Sequence, residues 1–200
     1  FQRENPGFDV VIANPPYVSY YSRQSIHLSD SMRESYERNY EVVENSRSRI
    51  NSMQLFIEQG IKHLRKNAVL TYIVDKTTLA EKANISTRKF MINNSQVLVI
   101  APFLKNVFEV TVDPAILIIK TNNYNQNYNY DLILNETFDG LIQNRKLPIS
   151  DVLSQSGYEF KYDLSTSDVD FKRIFSKCVT LKDITILKSG ANIGGHKELF

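Results

Sequence analysis

Residues 14–17 are the part of the sequence with the most specific chemistry. They read Asn-Pro-Pro-Tyr and directly follow the apolar run 8–13, which predicts a buried strand of the parallel type. Two prolines cannot donate to a β-ladder, so the strand should end here in a rigid turn. An amide at Asn14 beside an aromatic face at Tyr17 suits hydrogen bonding to, and stacking on, a planar ring that carries nitrogen. The alternative is a structural proline turn with a surface tyrosine.

An apolar strand that ends in Asn-Pro-Pro-Tyr resembles the catalytic motif of the amino-methyltransferases. These S-adenosylmethionine enzymes methylate exocyclic or amide nitrogens, such as the amino group of adenine, whose lone pair is delocalised into the ring. The resemblance implies that the Asn14 side-chain oxygen and the Pro15 carbonyl accept the two N–H bonds, which frees the lone pair. Pro16 would line the substrate site and Tyr17 would stack on the base. These roles amount to positioning and electrostatic preorganisation without a covalent intermediate.

The next segment, residues 51–58, resembles the motif of this family that lines the cofactor pocket. Asn51, together with Asn14, is therefore the implied contact to S-adenosylmethionine. For three apolar side chains of the segment, core packing is the favoured interpretation: Met53, Phe56 and Ile57. Asp75 stands where the family usually has a proline after the following strand, which leaves the conformation of that loop open.

Phe108 resembles the second aromatic residue that the family places against a flipped base. It would sandwich the adenine against Tyr17. A duplex substrate needs such a pocket because the target atom of the base is hidden in the base stack. Ordinary core packing of Phe108 remains open, and Phe103 is a competing candidate for the same role.

Apolar periodicity predicts the elements that position these residues. Spacings of three and four from Ile50 to Leu64 predict an amphipathic helix capped near Asn51 or Ser52. Strands are predicted at 68–74, 96–103 and 114–120, the last two as a hairpin, with a helical stretch at 76–93. The fold class is α/β: the C-terminal half of a Rossmann-like methyltransferase sheet, with parallel strands plus a terminal β-hairpin, followed by the start of a mixed or β recognition region.

The resemblance also implies a division of the chain. Residues 1–124 would be an incomplete catalytic domain, 125–175 a linker or insert, and 176–200 the start of a target-recognition domain with glycines and lysines suited to phosphates. The family's glycine-rich cofactor turn is not found in this sequence, so we expect an incomplete cofactor pocket and a longer parent protein. The strand 10–13 would then have a free edge that can pair with another chain.

Composition excludes several classes of protein. The chain has 200 residues, a formal net charge of +2 and one cysteine, Cys178, which excludes a disulfide framework and a multi-cysteine zinc site. No apolar run approaches the length of a membrane span, and no signal segment is visible, so a cytoplasmic protein without a membrane partner is expected. With so small a net charge, nucleic acid could be held only by a local patch.

The sequence therefore predicts a site-specific adenine-N6 DNA methyltransferase of a restriction-modification system. Its cofactor would be S-adenosylmethionine, and its partners would be double-stranded DNA and restriction or specificity subunits or domains. A protein-glutamine or RNA amino-methyltransferase with the same motif stays open. A non-enzymatic DNA-binding specificity module is the alternative of another class, although it gives no reason for residues 14–17.

Overall fold

The computed structural model describes residues 6–20, 28–43, 50–103, 113–121, 127–135, 141–160 and 162. The strands are β1 (Phe8–Ala13), β2 (Leu64–Asp75), β3 (Gln96–Pro102), β4 (Pro114–Lys120), β5 (Asn129–Asn135) and β6 (Leu141–Pro148). The α-helices are α1 (Asp30–Asn39), α2 (Ser52–Lys62), α3 (Thr77–Ala80), α4 (Ile85–Asn94) and α5 (Ile149–Leu153). Among the helices of these ranges, none combines the length and apolarity that crossing a bilayer requires.

The strands form one mixed sheet in the order β1-β2-β4-β3-β5-β6. β1 is parallel to β2, and β3 and β4 form the antiparallel pair that the sequence predicts as a hairpin. β4 also pairs antiparallel with β2, which places it between β2 and β3. The α/β class is therefore confirmed. β5 and β6, from the predicted linker region, extend the same sheet, with β5 parallel to β3.

β1 differs from the prediction of a buried strand. It is an edge strand that pairs only with β2 among the described residues. Three alternating apolar side chains are largely exposed: Phe8 at 60%, Val10 at 54% and Ile12 at 75%. Because alternate residues of a strand project to the same side, the chain presents an apolar row there that no described element covers. Within the part of the chain that the structure describes, the outer edge of this strand has no partner, as predicted.

Helix α2 forms where the apolar spacing places it. Asn51 is its N-cap, and a reciprocal pair of hydrogen bonds with Gln54 makes a capping box. The predicted apolar face is buried, including Met53 and Ile57. Gly60 allows the helix to lie close to β2, because a Cβ atom at this position would come within 2.5 Å of the Tyr72 hydroxyl.

The predicted helix at 76–93 is divided in two. The backbone of Glu81 is extended after α3, a 3-10 turn follows, and α4 begins at Ile85. The buried guanidinium of Arg88 stabilises this break by donating to the carbonyls of Thr78 and Glu81. It also donates to the carbonyl of Gly157, so α3 and the segment after α5 are held by the same side chain.

Candidate active site

The end of β1 brings the side chains of Asn14 and Tyr17 together. The Tyr17 hydroxyl is 3.3 Å from the Asn14 side-chain oxygen and 3.2 Å from the Ile73 carbonyl of β2. One hydroxyl proton serves both acceptors, so the phenol is held between β1 and β2. Pro15 is buried, whereas Asn14 and Pro16 are exposed. None of the described residues donates a hydrogen bond to the carbonyl of this buried Pro15.

The segment after Tyr17 runs antiparallel to the residues that start α2. The Tyr20 amide donates to the Ile50 carbonyl at 3.0 Å, and the Ser52 amide donates to the Val18 carbonyl at 2.9 Å. The Ser52 hydroxyl adds two bonds: it accepts from the Val18 amide at 2.9 Å and donates to the Pro16 carbonyl. The corner at residues 14–17 is therefore attached to β2 on one side and to α2 on the other.

A cleft of about 300 Å³ opens beside this corner. Its walls carry mainly polar and acidic side chains from three segments of chain, including Tyr17, Ser19, Asn51, Asp75, Thr77, Glu81 and Asn84. No lysine or arginine lines it within the described ranges. The cleft therefore suits a neutral or cationic group with hydrogen-bond donors better than it suits a phosphate.

The electrostatics of the cleft keep Tyr17 neutral. Burial, followed by the negative charge of Asp75, raises the pKa of the Tyr17 phenol from 10.0 to about 12. One Asp75 carboxylate oxygen accepts from the Thr77 amide at 2.7 Å. This bond orders the turn from β2 to α3 at the position where the family usually has proline, so the loop is well formed without it.

Asn51 lies in the wall of the cleft, and its side-chain oxygen already accepts one hydrogen bond. That oxygen accepts from the Gln54 amide at 3.0 Å, and the Gln54 side chain accepts from the Asn51 amide in return. The buried Gln54 side chain also donates to Ala83 and Asn84 on the opposite wall. Asn51 can therefore offer a ligand its amide NH₂ group and the second lone pair of this oxygen.

A second cavity, of about 250 Å³, is lined by Tyr20 and Ser52 of the two paired segments. Its lining is aromatic, with Tyr20, Tyr36, Tyr40 and Phe56, and Ser52 also contributes. Neighbouring tyrosine rings are 6.4 Å and 5.8 Å apart between centroids. Core packing of Phe56 is a wrong prediction, because this ring is 43% exposed, whereas Met53 and Ile57 are buried as expected. We call this second cavity the aromatic cavity.

The structure brings together only some of the predicted site residues. Asn14 and Tyr17 meet at one corner, and Asn51 shares the cleft with Tyr17. Phe108 lies outside the described residues, whereas its competitor Phe103 is buried in the core. Sequence reasoning missed Ser52 as a contact of the corner, because nothing local marks a helix-start serine as a partner of a segment 34 positions earlier.

Comparison with solved structures shows what the fold is similar to. The chain is similar to the type IIG restriction endonuclease BpuSI, with a TM-score of 0.57 and 14% identity over 84% of this chain and 22% of that one. It is also similar to the ATP-dependent type ISP restriction-modification enzyme LlaBIII, solved bound to DNA, with a TM-score of 0.54 and 13% identity over 81% of this chain and 13% of that one. At these identities, the likeness concerns the fold, a Rossmann-like methyltransferase sheet.

The sequence itself identifies the family. Residues 1–108 match the Eco57I restriction-modification methylase family, and the chain belongs to it. Over 122 residues the chain is 30% identical to the type II methyltransferase M.BstVI of Geobacillus stearothermophilus. The aligned region covers 60% of this chain and 20% of that protein. The chain thus spans about a fifth of the length of this relative.

Proposed function

We propose that this protein takes part in sequence-specific DNA methylation and transfers a methyl group from S-adenosylmethionine to the N6 amino group of adenine. The observation that carries the proposal is the corner formed by Asn14 and Tyr17, in a chain of the Eco57I restriction-modification methylase family. The proteins that the chain is similar to include a type II methyltransferase and a restriction-modification enzyme that was solved bound to DNA. We propose that the partners of this protein are duplex DNA and restriction or specificity subunits or domains.

The corner offers what an amino group of low nucleophilicity needs. In the proposed complex, the Asn14 side-chain oxygen and the Pro15 carbonyl accept the two amino N–H bonds, while the ring of Tyr17 stacks on the base. Pro16 is exposed beside them and lines the same substrate site. The nitrogen lone pair would then be free to accept the methyl group that the cofactor supplies, whose bonding electron pair would stay on sulfur, and one amino proton would pass to water. Tyr17 stays protonated, consistent with its raised pKa, and acts by position.

The chain also has groups that fit part of the proposed cofactor. S-adenosylmethionine supplies a methyl group that is activated by positive charge on sulfur. The acidic cleft has no basic side chain among its described lining residues to repel that charge, and the Asn51 NH₂ group in its wall is free to donate. The aromatic cavity next to it offers Phe56 and three tyrosines as stacking surfaces for an adenine ring. Asn14 lines neither cavity, but its side-chain oxygen is 3.3 Å from the hydroxyl of Tyr17, which lines the cleft. We propose that Asn14 contacts the cofactor as well as the base.

The test is methyl transfer from S-adenosylmethionine with a labelled methyl group, using the protein as its gene encodes it. Duplex DNA, RNA and a glutamine-containing protein are offered as separate acceptors. We expect label in duplex DNA, recovered as N6-methyladenine, and a gel shift of DNA that weakens as salt is raised. Label in RNA or in a glutamine would instead support one of the other amino-methyltransferases. DNA binding without any transfer would support a specificity module.

A further inference from the structure

We infer that Ser52 is a positioning residue for methyl transfer, acting through Tyr17; this inference rests on the proposed function. The Ser52 hydroxyl donates to the Pro16 carbonyl and accepts from the Val18 amide at 2.9 Å. These two backbone groups flank Tyr17 on either side. One hydroxyl therefore fixes both peptide units next to the ring that is proposed to hold the base.

The bonds of Ser52 complete the restraint on Tyr17. The phenol oxygen is held by Asn14 and Ile73, as described above, whereas Ser52 holds the backbone from which the ring extends. Ser52 is only 3% exposed, so water does not compete freely for these bonds. Without the Ser52 hydroxyl, the Tyr17 phenol would keep its contacts with Asn14 and Ile73. It would lose the backbone restraint that sets the tilt of the ring.

The platform that carries Ser52 is itself rigid. Ser52 is the first residue of α2 and lies within the capping box that Asn51 and Gln54 form. The Gln54 side chain in turn bonds to the opposite wall of the cleft at Ala83 and Asn84, each at 3.1 Å. A group that positions a catalytic side chain is effective only when its own support is fixed, and α2 meets that condition.

The two backbone groups on either side of Tyr17 require a hydroxyl as their common partner. The Pro16 carbonyl needs a donor and the Val18 amide needs an acceptor, and a hydroxyl is the smallest side-chain group that provides both. In Ser52→Ala the two backbone groups lose these partners, but the Ser52 backbone amide still donates to the Val18 carbonyl. The segment therefore stays attached and the variant keeps its fold while the corner loosens. In Ser52→Thr the hydroxyl that makes both bonds is retained.

The experiment compares Ser52→Ala and Ser52→Thr in the protein as its gene encodes it. The matched control is Ser95→Ala, because Ser95 is also buried and donates to a backbone carbonyl, that of Met91, but does not line the cleft. Steady-state kcat and KM for S-adenosylmethionine are measured, together with the thermal midpoint. Fluorescence of a duplex with 2-aminopurine in place of the target base reports how the flipped base is held, independently of transfer.

We expect kcat of Ser52→Ala to fall about 10- to 100-fold, the range for a misplaced reacting group. KM for S-adenosylmethionine should stay within about 3-fold, because the lost bonds hold the backbone on either side of Tyr17, which is proposed to stack on the base. Ser52→Thr should recover most of the rate, Ser95→Ala should retain it, and 2-aminopurine should be more fluorescent in Ser52→Ala because stacking on Tyr17 is weakened.

Two results would overturn the inference. In the first, the wild type is active and kcat of Ser52→Ala equals kcat of Ser95→Ala. This result would refute the role of Ser52 but not the proposed function. In the second, Ser52→Thr is no better than Ser52→Ala. A wild type that methylates no DNA would instead refute the proposed function, and the role of Ser52 with it.

Discussion

The hydroxyl of Tyr17 lies 3.3 Å from the side-chain oxygen of Asn14. The residue proposed to hold the base and the residue proposed to accept its amino hydrogen are thus one positional unit. Tyr17→Phe keeps the ring but removes the link, whereas Tyr17→Ala removes both. Stacking on an aromatic side chain contributes about 1–3 kcal/mol per base. We therefore expect roughly a 10- to 100-fold loss of transfer in Tyr17→Ala and a smaller loss in Tyr17→Phe, measured as single-turnover rates. Equal rates in the two variants would show that the ring does not hold the base.

Burial and, to a smaller extent, the negative charge of Asp75 raise the pKa of Tyr17. The pKa of this phenol is raised from 10.0 to about 12, so the contribution of the neutral phenol to stability is complete below pH 10.0 and is lost as the pH rises toward 12. Wild type should therefore lose more free energy of unfolding over this interval than Tyr17→Phe does. In Asp75→Asn the pKa should move part of the way back to its ordinary value, because burial is the larger cause. The shift is measured by tyrosinate absorbance, from which the absorbance of the same protein carrying Tyr17→Phe is subtracted. An unchanged pKa in Asp75→Asn would exclude the carboxylate as a cause.

The close approach of α2 to β2 depends on Gly60. Alanine is favoured over glycine in a helix by about 1 kcal/mol, but a Cβ at Gly60 would overlap the packed side chains of Leu70 and Tyr72. Overpacking of this kind costs about 1–3 kcal/mol, so we expect Gly60→Ala to lower the free energy of unfolding by roughly 1 kcal/mol in urea titrations. Gly157→Ala is the control, because its Cβ would meet only the flexible Glu159 side chain. A Gly60→Ala variant as stable as this control would contradict the packing argument.

The exposed edge strand β1 predicts self-association of the 200-residue chain. An open edge with an apolar row can pair with the edge of another chain, and Phe8, Val10 and Ile12 form such a row. Light scattering should give a mass above that of the monomer that rises with concentration. Ile12→Lys should reduce it, because a charge disfavours strand pairing, whereas Met32→Lys, at an exposed apolar residue of α1, should not. A strict monomer at every concentration would count against the prediction.

The sequence predicts what depends on neighbours along the chain. The cap and apolar face of α2, and the pairing of β3 with β4, follow from local spacing, and both are found. It does not predict features made by distant partners. Arg88 has no local signal of burial, because its carbonyl partners include Gly157, 69 positions away. The exposure of Phe56 likewise depends on where the tyrosines of the aromatic cavity pack.

The central claim is that Asn14 accepts a hydrogen bond from the amino group that is methylated. Its most direct test is the rate at which N6-methyladenine forms in duplex DNA, measured by nucleoside mass spectrometry for wild type, Asn14→Ala and the control Asn39→Ala, an exposed asparagine at the end of α1. We expect Asn14→Ala to lose roughly 100- to 1,000-fold in rate, as for the loss of one preorganised hydrogen-bonding group, while its DNA binding and the rate of Asn39→Ala remain those of wild type. A rate for Asn14→Ala close to that of wild type would contradict the account.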